Sequence, residues 1–268
     1  MDYTLNIRGQ LIDLNEPMVM GILNATPDSF YADSRQQTEH DMAVRAQQIV
    51  AEGGGIIDVG ACSTRPGGQP ASEADELMRL RRALGVVRRE LPQAIVSVDT
   101  FRPSVARMAV EEFGADMVND VSEAADEAMM RMVARLGVAY VLTSVQPTLH
   151  DTLLAFARKV QLLRDLGQKD IILDPGFGFG KTTAQNMQLL DRLERLQVMQ
   201  LPLLVGVSRK SMIYKTLQCT PAEALNGTTT LNTVALMKGA SILRVHDVRQ
   251  AVECCQLVAA MNRVHEDN

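Results

Sequence analysis

The chain has 268 residues, of which 46% are hydrophobic, so it is long enough to bury one large core or two small ones. Its net charge of −5 argues against the basic face that duplex nucleic acids require. The chain shows no signal-peptide pattern and no apolar run of membrane-spanning length, and its four cysteines lack metal-ligand spacing, which predicts free thiols in a reducing cytoplasm.

The first segment of the chain alternates between apolar and polar residues. Residues 3–14 show this alternation around a turn at Arg8, Gly9 and Gln10. Alternation with a central glycine turn predicts a short β-hairpin ahead of the main fold.

From residue 18 onward, a short apolar run followed by an amphipathic segment recurs eight times. The runs predict strands at residues 18–23, 56–59, 94–98, 117–118, 138–142, 171–173, 203–207 and 241–245. The segments predict helices at residues 38–52, 72–91, 102–113, 126–136, 152–166, 183–199, 211–238 (broken at Pro221) and 248–261.

Strict alternation of strands and helices predicts a parallel sheet of the α/β class. Eight units in about 250 residues favour a (β/α)₈ barrel of the TIM type, with the hairpin at its amino-terminal end. A doubly wound open sheet is the alternative, and it usually has fewer units. No linker divides the chain, so a single domain over residues 1–268 is expected.

Nearly every predicted strand ends in, or is followed by, a polar residue. These residues are Asn24, Asp58, Asp99, Asn119, Asp174, Lys210, Arg244 and His246. Any one of the carboxylates is more often a helix cap, but capping requires no lysine, arginine or histidine at the same edge. Carboxylates and an amide suit a planar ring with donors and acceptors, whereas a guanidinium and an imidazole suit a leaving anion, with or without a divalent metal.

The segment GFGFGKT, residues 176–182, is similar to a phosphate-binding loop. That motif requires a glycine separated by four residues from the glycine–lysine pair, and Pro175 stands at that position. The spacing therefore argues against a phosphate cradle and leaves Asp174 as the acid at the end of a strand.

Seven motifs in order resemble those of the dihydropteroate synthases, the family that sulfonamides inhibit. They are MGILNATPDSF, IIDVGACSTRPGG, SVDT, NDVS, DPGFGFGK, GVSRKS and RVHDV, and they span residues 20–248. The resemblance implies a TIM barrel that joins 6-hydroxymethyl-7,8-dihydropterin diphosphate to p-aminobenzoate with Mg²⁺ present. It also implies a cytoplasmic homodimer that acts on small molecules.

The resemblance also implies roles for individual residues. The pterin pocket is implied at Asp99, Asn119, Asp174 and Lys210. The diphosphate end is implied at Asn24, Asp58, Arg244 and His246, with Asn24 as the metal ligand. The p-aminobenzoate side is implied at Thr64, Arg65, Pro66, Phe179 and Ser208. An acid in the first loop, Asp28 or Asp33, is implied to stabilise a cation, and the sequence does not decide between them.

The chain departs from the family pattern at three places. Cys62 stands where glutamate is usual, LTSV at residues 142–145 replaces a Met-His-Met run, and the first loop lacks a glycine pair. Two alternatives stay open: a pterin-binding methyltransferase, which uses a similar barrel and a similar acid–amide pocket, and a catalytically silent pterin-binding paralogue, which the altered first loop supports.

Overall fold

The computed structural model describes residues 3–25, 32–61 and 71–266, with the backbone alone for residues 32–37 and 264–266. The strands are β1 (Thr4–Ile7), β2 (Gln10–Asp13), β3 (Met18–Asn24), β4 (Ile56–Gly60), β5 (Ile95–Asp99), β6 (Met117–Asp120), β7 (Ala139–Thr143), β8 (Ile171–Asp174), β9 (Leu204–Val205) and β10 (Ile242–Val245). The helices are α1 (Ala32–Ala51), α2 (Glu73–Glu90), α3 (Pro103–Phe113), α4 (Glu127–Leu136), α5 (Leu149–Asp165), α6 (Thr183–Asp191), α7 (Ser211–Tyr214), α8 (Leu225–Met237) and α9 (Val248–Glu266).

Eight parallel strands form one sheet in the order β8-β7-β6-β5-β4-β3-β10-β9. The two ends of this sheet also meet, because Leu173 of β8 forms a parallel bridge with Leu203 just before β9. The Leu173 N–H donates to the Pro202 carbonyl at 2.9 Å. The sheet is therefore a nearly closed barrel, which confirms the predicted (β/α)₈ fold and rules out the open doubly wound sheet.

The predicted amino-terminal hairpin is also confirmed, as the antiparallel pair β1 and β2. Its turn places Arg8 and Gly9 at positive φ, as two-residue hairpin turns require. The hairpin side chains Leu5 and Ile7 join the apolar cluster inside the barrel. Arg8 Nε donates to Asp116 Oδ1 at 2.7 Å, which ties the hairpin to the segment before β6. The hairpin thus covers the amino-terminal end of the barrel.

Side chains along each strand alternate between the barrel interior and the helix layer. The lower part of the interior is apolar and contains Met20, Ile56, Met117, Ala139, Val141, Ile172, Leu204 and Ile242. Two or four residues further along these strands, and on the neighbouring β5, the inward-facing side chains are polar. They are Asp58, Ser97, Asp99, Asn119, Thr143, Asp174 and Arg244. The alternation therefore directs these polar side chains into the carboxyl-terminal half of the barrel.

Several predicted boundaries differ from the structure. Strand β9 has two residues instead of five, and Pro202, which has no N–H, precedes it. The region predicted as one broken helix at 211–238 consists of α7, a 3₁₀ turn that begins at Pro221, and α8. Helix α6 ends at Asp191, because Arg192 has a non-helical φ of −118°, and a 3₁₀ segment follows.

Among the described residues, no helix has both the length and the apolar character needed to cross a membrane.

Candidate active site

A largely buried arginine, Arg244, connects two strand-end carboxylates at the carboxyl-terminal end of the barrel. Arg244 Nε donates to Asp58 Oδ2 at 2.7 Å, and its Nη2 donates to Asp99 Oδ2 at 2.7 Å. Asn119 Nδ2 also donates to Asp58 Oδ2, at 3.2 Å. The structure therefore brings together four residues that the sequence predicted for one site, from β4, β5, β6 and β10.

This arrangement sets the protonation of its members. Burial alone lowers the pKa of Arg244, but Asp58 and Asp99 outweigh it and leave that pKa above its ordinary value. Burial raises the pKa of Asp99 to about 7; Arg244 opposes the rise, while Asp58 and Asp120 add to it. The guanidinium does not outweigh the loss of hydration at Asp99, so this carboxylate keeps a raised pKa despite its contact with a cation.

A second charged pair, Asp174 and Lys210, lies beside the arginine. Burial raises the pKa of Asp174, and Lys210 opposes that rise. Burial lowers the pKa of the Lys210 ammonium to about 8, and Asp174 opposes that fall. Lys210 Nζ donates to the Phe177 carbonyl and lies 5.0 Å from the centroid of the Phe179 ring. The pair can therefore offer an acceptor and a donor to one planar ligand.

The glycine-rich segment after β8 lies directly against the end of β7. Gly176 has φ +71°, and a Cβ at this position would overlap the Ser144 carbonyl oxygen. The Gly176 N–H donates to Asp174 Oδ1 at 2.8 Å, which orients that carboxylate. Glycine is required here for both the left-handed backbone and the close approach.

Lys181 holds this segment in place. Its Nζ donates to the carbonyls of Gly176 at 3.0 Å, Ser144 at 3.2 Å and Phe179 at 3.4 Å. Burial lowers the pKa of this ammonium to about 8, against the influence of Asp174 and Glu123. The lysine of the phosphate-loop-like segment thus binds backbone carbonyls of its own protein, in agreement with the spacing argument.

Glu123 holds the segment after β7 from the other side. Its Oε2 accepts from the Val145 N–H at 2.9 Å and from Ser144 Oγ at 3.2 Å. Its Oε1 accepts from Gln146 Nε2 at 2.7 Å. The carboxylate therefore fixes the LTSV segment at which the chain departs from the family pattern.

His246 favours its neutral form although the residue is exposed just after β10. Partial desolvation of the ring lowers its pKa to about 4, and the positive charge of Arg244 adds to this effect. Its Nδ1 lies 3.1 Å from Ser208 Oγ, which also accepts from the His246 backbone N–H at 3.2 Å. A hydroxyl that donates to Nδ1 leaves the ring proton on Nε2. Arg45 Nη2 donates to the His246 carbonyl at 2.6 Å and holds the backbone.

Three of the remaining predicted site residues lie in the described part of the chain, and five do not. Asn24 is exposed at the end of β3, in register with Gly60. Ser208 contacts His246, and Phe179 lies under Lys210. Five residues of the sequence analysis lie outside the described residues or side chains: Asp28, Asp33, Thr64, Arg65 and Pro66. Cys62 also lies outside them.

The described residues can test whether the site fits a divalent metal. Within residues 3–25, 32–61 and 71–266, no three histidine, cysteine or acidic side chains are grouped to hold a metal ion. The exposed Asn24 amide oxygen is one hard donor at the mouth of the barrel. Mg²⁺ commonly uses one or two protein ligands together with substrate phosphates and water. Asn24 therefore fits the role of one protein ligand to an Mg²⁺ ion that substrate phosphates also hold.

Sequence reasoning missed Glu123, Arg45 and the structural role of Lys181. Each of the three contacts a backbone carbonyl or amide that is more than 20 residues away in the sequence. Lys181 also binds two carbonyls close to it in the sequence. No local pattern signals such contacts. Ser97 and Thr143 could have been found, because they share the inward face with Asp99 and Val141.

The family comparison identifies the class of protein. Residues 20–246 match the family model described as pterin binding enzyme. This range begins in β3 and ends at His246, and it contains all eight barrel strands except the first two residues of β3. The fold and the site therefore define a pterin-binding barrel enzyme.

Named relatives specify the family further. The chain is 36% identical to the dihydropteroate synthase of Escherichia coli strain K12, over 94% of each chain. It is 40% identical to that of Synechocystis sp., over 91% of this chain and 90% of the relative. The structure of Xanthomonas albilineans dihydropteroate synthase with 4-aminobenzoic acid superposes with a TM-score of 0.88, at 34% identity, over 98% of this chain and 99% of that one. The chain belongs to the dihydropteroate synthases, enzymes of folate biosynthesis.

The role of Lys181 can be tested with Lys181→Met, which removes the ammonium and keeps an unbranched chain. We expect amide hydrogen exchange across residues 176–180 to become at least about tenfold faster, because the segment loses bonds to a charged donor. Hydrogen-exchange mass spectrometry measures this. Lys238→Met is the control, since Lys238 Nζ also donates to a backbone carbonyl, that of Asp191, at the other end of the barrel. Equal effects of the two changes would contradict the role.

Proposed function

We propose that this chain joins 6-hydroxymethyl-7,8-dihydropterin diphosphate to p-aminobenzoate and releases pyrophosphate, with the pterin ring held inside the carboxyl-terminal half of the barrel. One observation carries the placement of the ring. Among the described residues, Asp58 Oδ1 and Asn119 Oδ1 are buried and have no hydrogen-bond partner. Buried acceptors without partners are costly, and a ring with several N–H donors would satisfy them.

The ring is proposed to lie between Asp174, Lys210, Asn119 and Asp99. The Asp174 carboxylate, oriented by Gly176, accepts from the ring N–H groups. The Lys210 ammonium donates to the ring carbonyl, and Phe179 below it faces the second substrate. Asp99 and Asp58 also hold Arg244, so Asp58 acts on the diphosphate through the arginine and not by direct contact.

The diphosphate is proposed to lie above Arg244 and His246. Within the described part of the chain, Arg244 Nη1 has no hydrogen-bond partner, so it can donate to an anion. Neutral His246 donates from Nε2 if Nδ1 accepts from Ser208. Asn24 would hold Mg²⁺ together with diphosphate oxygens, and the bound ion would neutralise part of the leaving-group charge. These fixed donors favour the departing anion over the intact substrate.

The reaction then needs no strong base. The bond between the methylene carbon and the diphosphate oxygen breaks, and the electron pair leaves with the diphosphate. The dihydropterin ring spreads the resulting positive charge, and the arylamine lone pair forms the new C–N bond. The proton released from nitrogen leaves with solvent or pyrophosphate. The site therefore works by position and electrostatics.

A steady-state assay for dihydropteroate from the two substrates tests this function. We expect turnover with Mg²⁺, loss of most turnover in EDTA, and competition between a sulfonamide and p-aminobenzoate. Pterin binding without turnover would identify a silent paralogue. Methyl transfer from a methylated folate would identify the methyltransferase alternative. Full turnover in EDTA would remove the metal from the proposal.

Asp174→Asn tests the placement of the ring. The asparagine oxygen can keep the Gly176 contact, but its NH₂ group faces the ring N–H donors. We expect affinity for 6-hydroxymethylpterin, measured by calorimetry, to fall at least about tenfold. Asp116→Asn is the matched control, because Asp116 is a buried carboxylate bound by Arg8 and Arg88 at the other end of the barrel. Unchanged affinity in Asp174→Asn would contradict the placement.

We also propose a homodimer formed through the carboxyl-terminal third of the chain. Exposed large apolar side chains occur there at Val198, Leu217, Met237, Leu257 and Met261. Such residues support an association surface. Light scattering should give twice the monomer mass, and Leu257→Glu should shift it toward the monomer. A monomeric wild type at micromolar concentration would contradict the proposal.

A cytoplasmic location is proposed from the thiols. Cys219, Cys254 and Cys255 are free in the described structure, and burial raises the pKa of Cys255 to about 12. Unpaired thiols are typical of proteins from reducing compartments. Cell fractionation checks this location.

A further inference from the structure

Four buried polar atoms inside the barrel have no hydrogen-bond partner among the described residues, and they lie on four neighbouring strands. They are Asp58 Oδ1 on β4, Ser97 Oγ on β5, Asn119 Oδ1 on β6 and Thr143 Oγ1 on β7. Adjacent strands in the order β7-β6-β5-β4 place them on one wall of the interior. Two of the four belong to residues already assigned to the pterin pocket or the diphosphate end, and the other two have no assigned role.

Of these two residues, Thr143 is the better candidate for a ligand contact, because it lies at the carboxyl-terminal end of its strand. It is fully buried and pairs in register with Asp174 on β8. Ala139 and Val141 on the same strand belong to the interior cluster, so alternation directs Thr143 inward as well. Its methyl carbon Cγ2 lies 3.2 Å from the position of a Cβ on Gly176, so the methyl faces the glycine segment.

The surrounding structure holds Thr143 firmly in this position. The Ser144 N–H donates to the Asp174 carbonyl at 2.8 Å, which extends the pairing of β7 with β8. Glu123 binds Ser144 and Val145, as described above. Its neighbours therefore fix the position of the hydroxyl, while none of the described residues forms a hydrogen bond with it. A buried hydroxyl of this kind is stabilised when a ligand supplies the missing bond.

We propose that the Thr143 hydroxyl is a specificity-determining group that forms one hydrogen bond to the pterin ring beside Asp174. This inference rests on the proposed function and deepens it. A hydroxyl both donates and accepts, so it can complete the edge of a heterocycle that carries alternating ring nitrogens and N–H groups. An apolar side chain at this position would leave one ring atom without a partner, and such a loss typically lowers affinity.

The test compares three variants of the full-length protein by calorimetry with 6-hydroxymethylpterin and by thermal unfolding. Thr143→Val removes the hydroxyl at nearly constant volume, and Thr143→Ser keeps it. Thr152→Val is the control, because Thr152 is also fully buried but its Oγ1 has a hydrogen-bond partner, Ser144 Oγ at 3.4 Å, outside the barrel interior.

We expect Thr143→Val to bind the pterin about 5- to 30-fold more weakly with an unchanged or higher unfolding temperature, since no protein hydrogen bond is lost. Thr143→Ser should keep affinity within about threefold, and Thr152→Val should keep affinity but unfold at a lower temperature. Wild-type affinity in Thr143→Val, or a fall in unfolding temperature equal to that of Thr152→Val, would overturn the inference. Failure of the wild type to bind the pterin would instead overturn the proposed function.

Discussion

The site depends on one guanidinium that two carboxylates share inside the barrel. Arg244 on β10 reaches across β3 to Asp58 on β4 and to Asp99 on β5, and Asn119 donates to the same carboxylate oxygen of Asp58. A charge in this position is stable only when it is paired and hydrogen-bonded. The pairing keeps Arg244 charged, aligns the ends of four strands and leaves two acceptor oxygens available to a ligand.

Burial then sets the chemistry of the neighbouring groups. It lowers the pKa of Lys210 and His246 and raises that of Asp99 and Asp174. Each change favours the neutral form, as expected for groups that lose part of their hydration. A pterin ring with donors and acceptors, and a diphosphate with several negative oxygens, are the kinds of ligand that such a set of groups would stabilise.

Prediction from the sequence worked where a local rule controls the structure. Strand alternation and strand ends located Asp58, Asp99, Asn119, Asp174 and Arg244, because parallel strands in a barrel all end at one face. Prediction was poorer where tertiary contacts decide. The helix predicted at residues 183–199 ends early, and β9 keeps two residues. Apolar periodicity continues through both regions, but the non-helical backbone at Arg192 ends the helix, and only Leu204 and Val205 pair with β10 as a strand.

The sequence by itself determined the number of strand–helix units, the barrel and the family, because periodicity and motif spacing are properties of the chain order. Only the tertiary structure decided which groups touch. It showed that Lys181 binds backbone carbonyls and that Glu123 holds the segment after β7. It also showed that the Thr143 hydroxyl has no hydrogen-bond partner among the described residues. These outcomes depend on distances between segments far apart in sequence, and no local pattern encodes such distances.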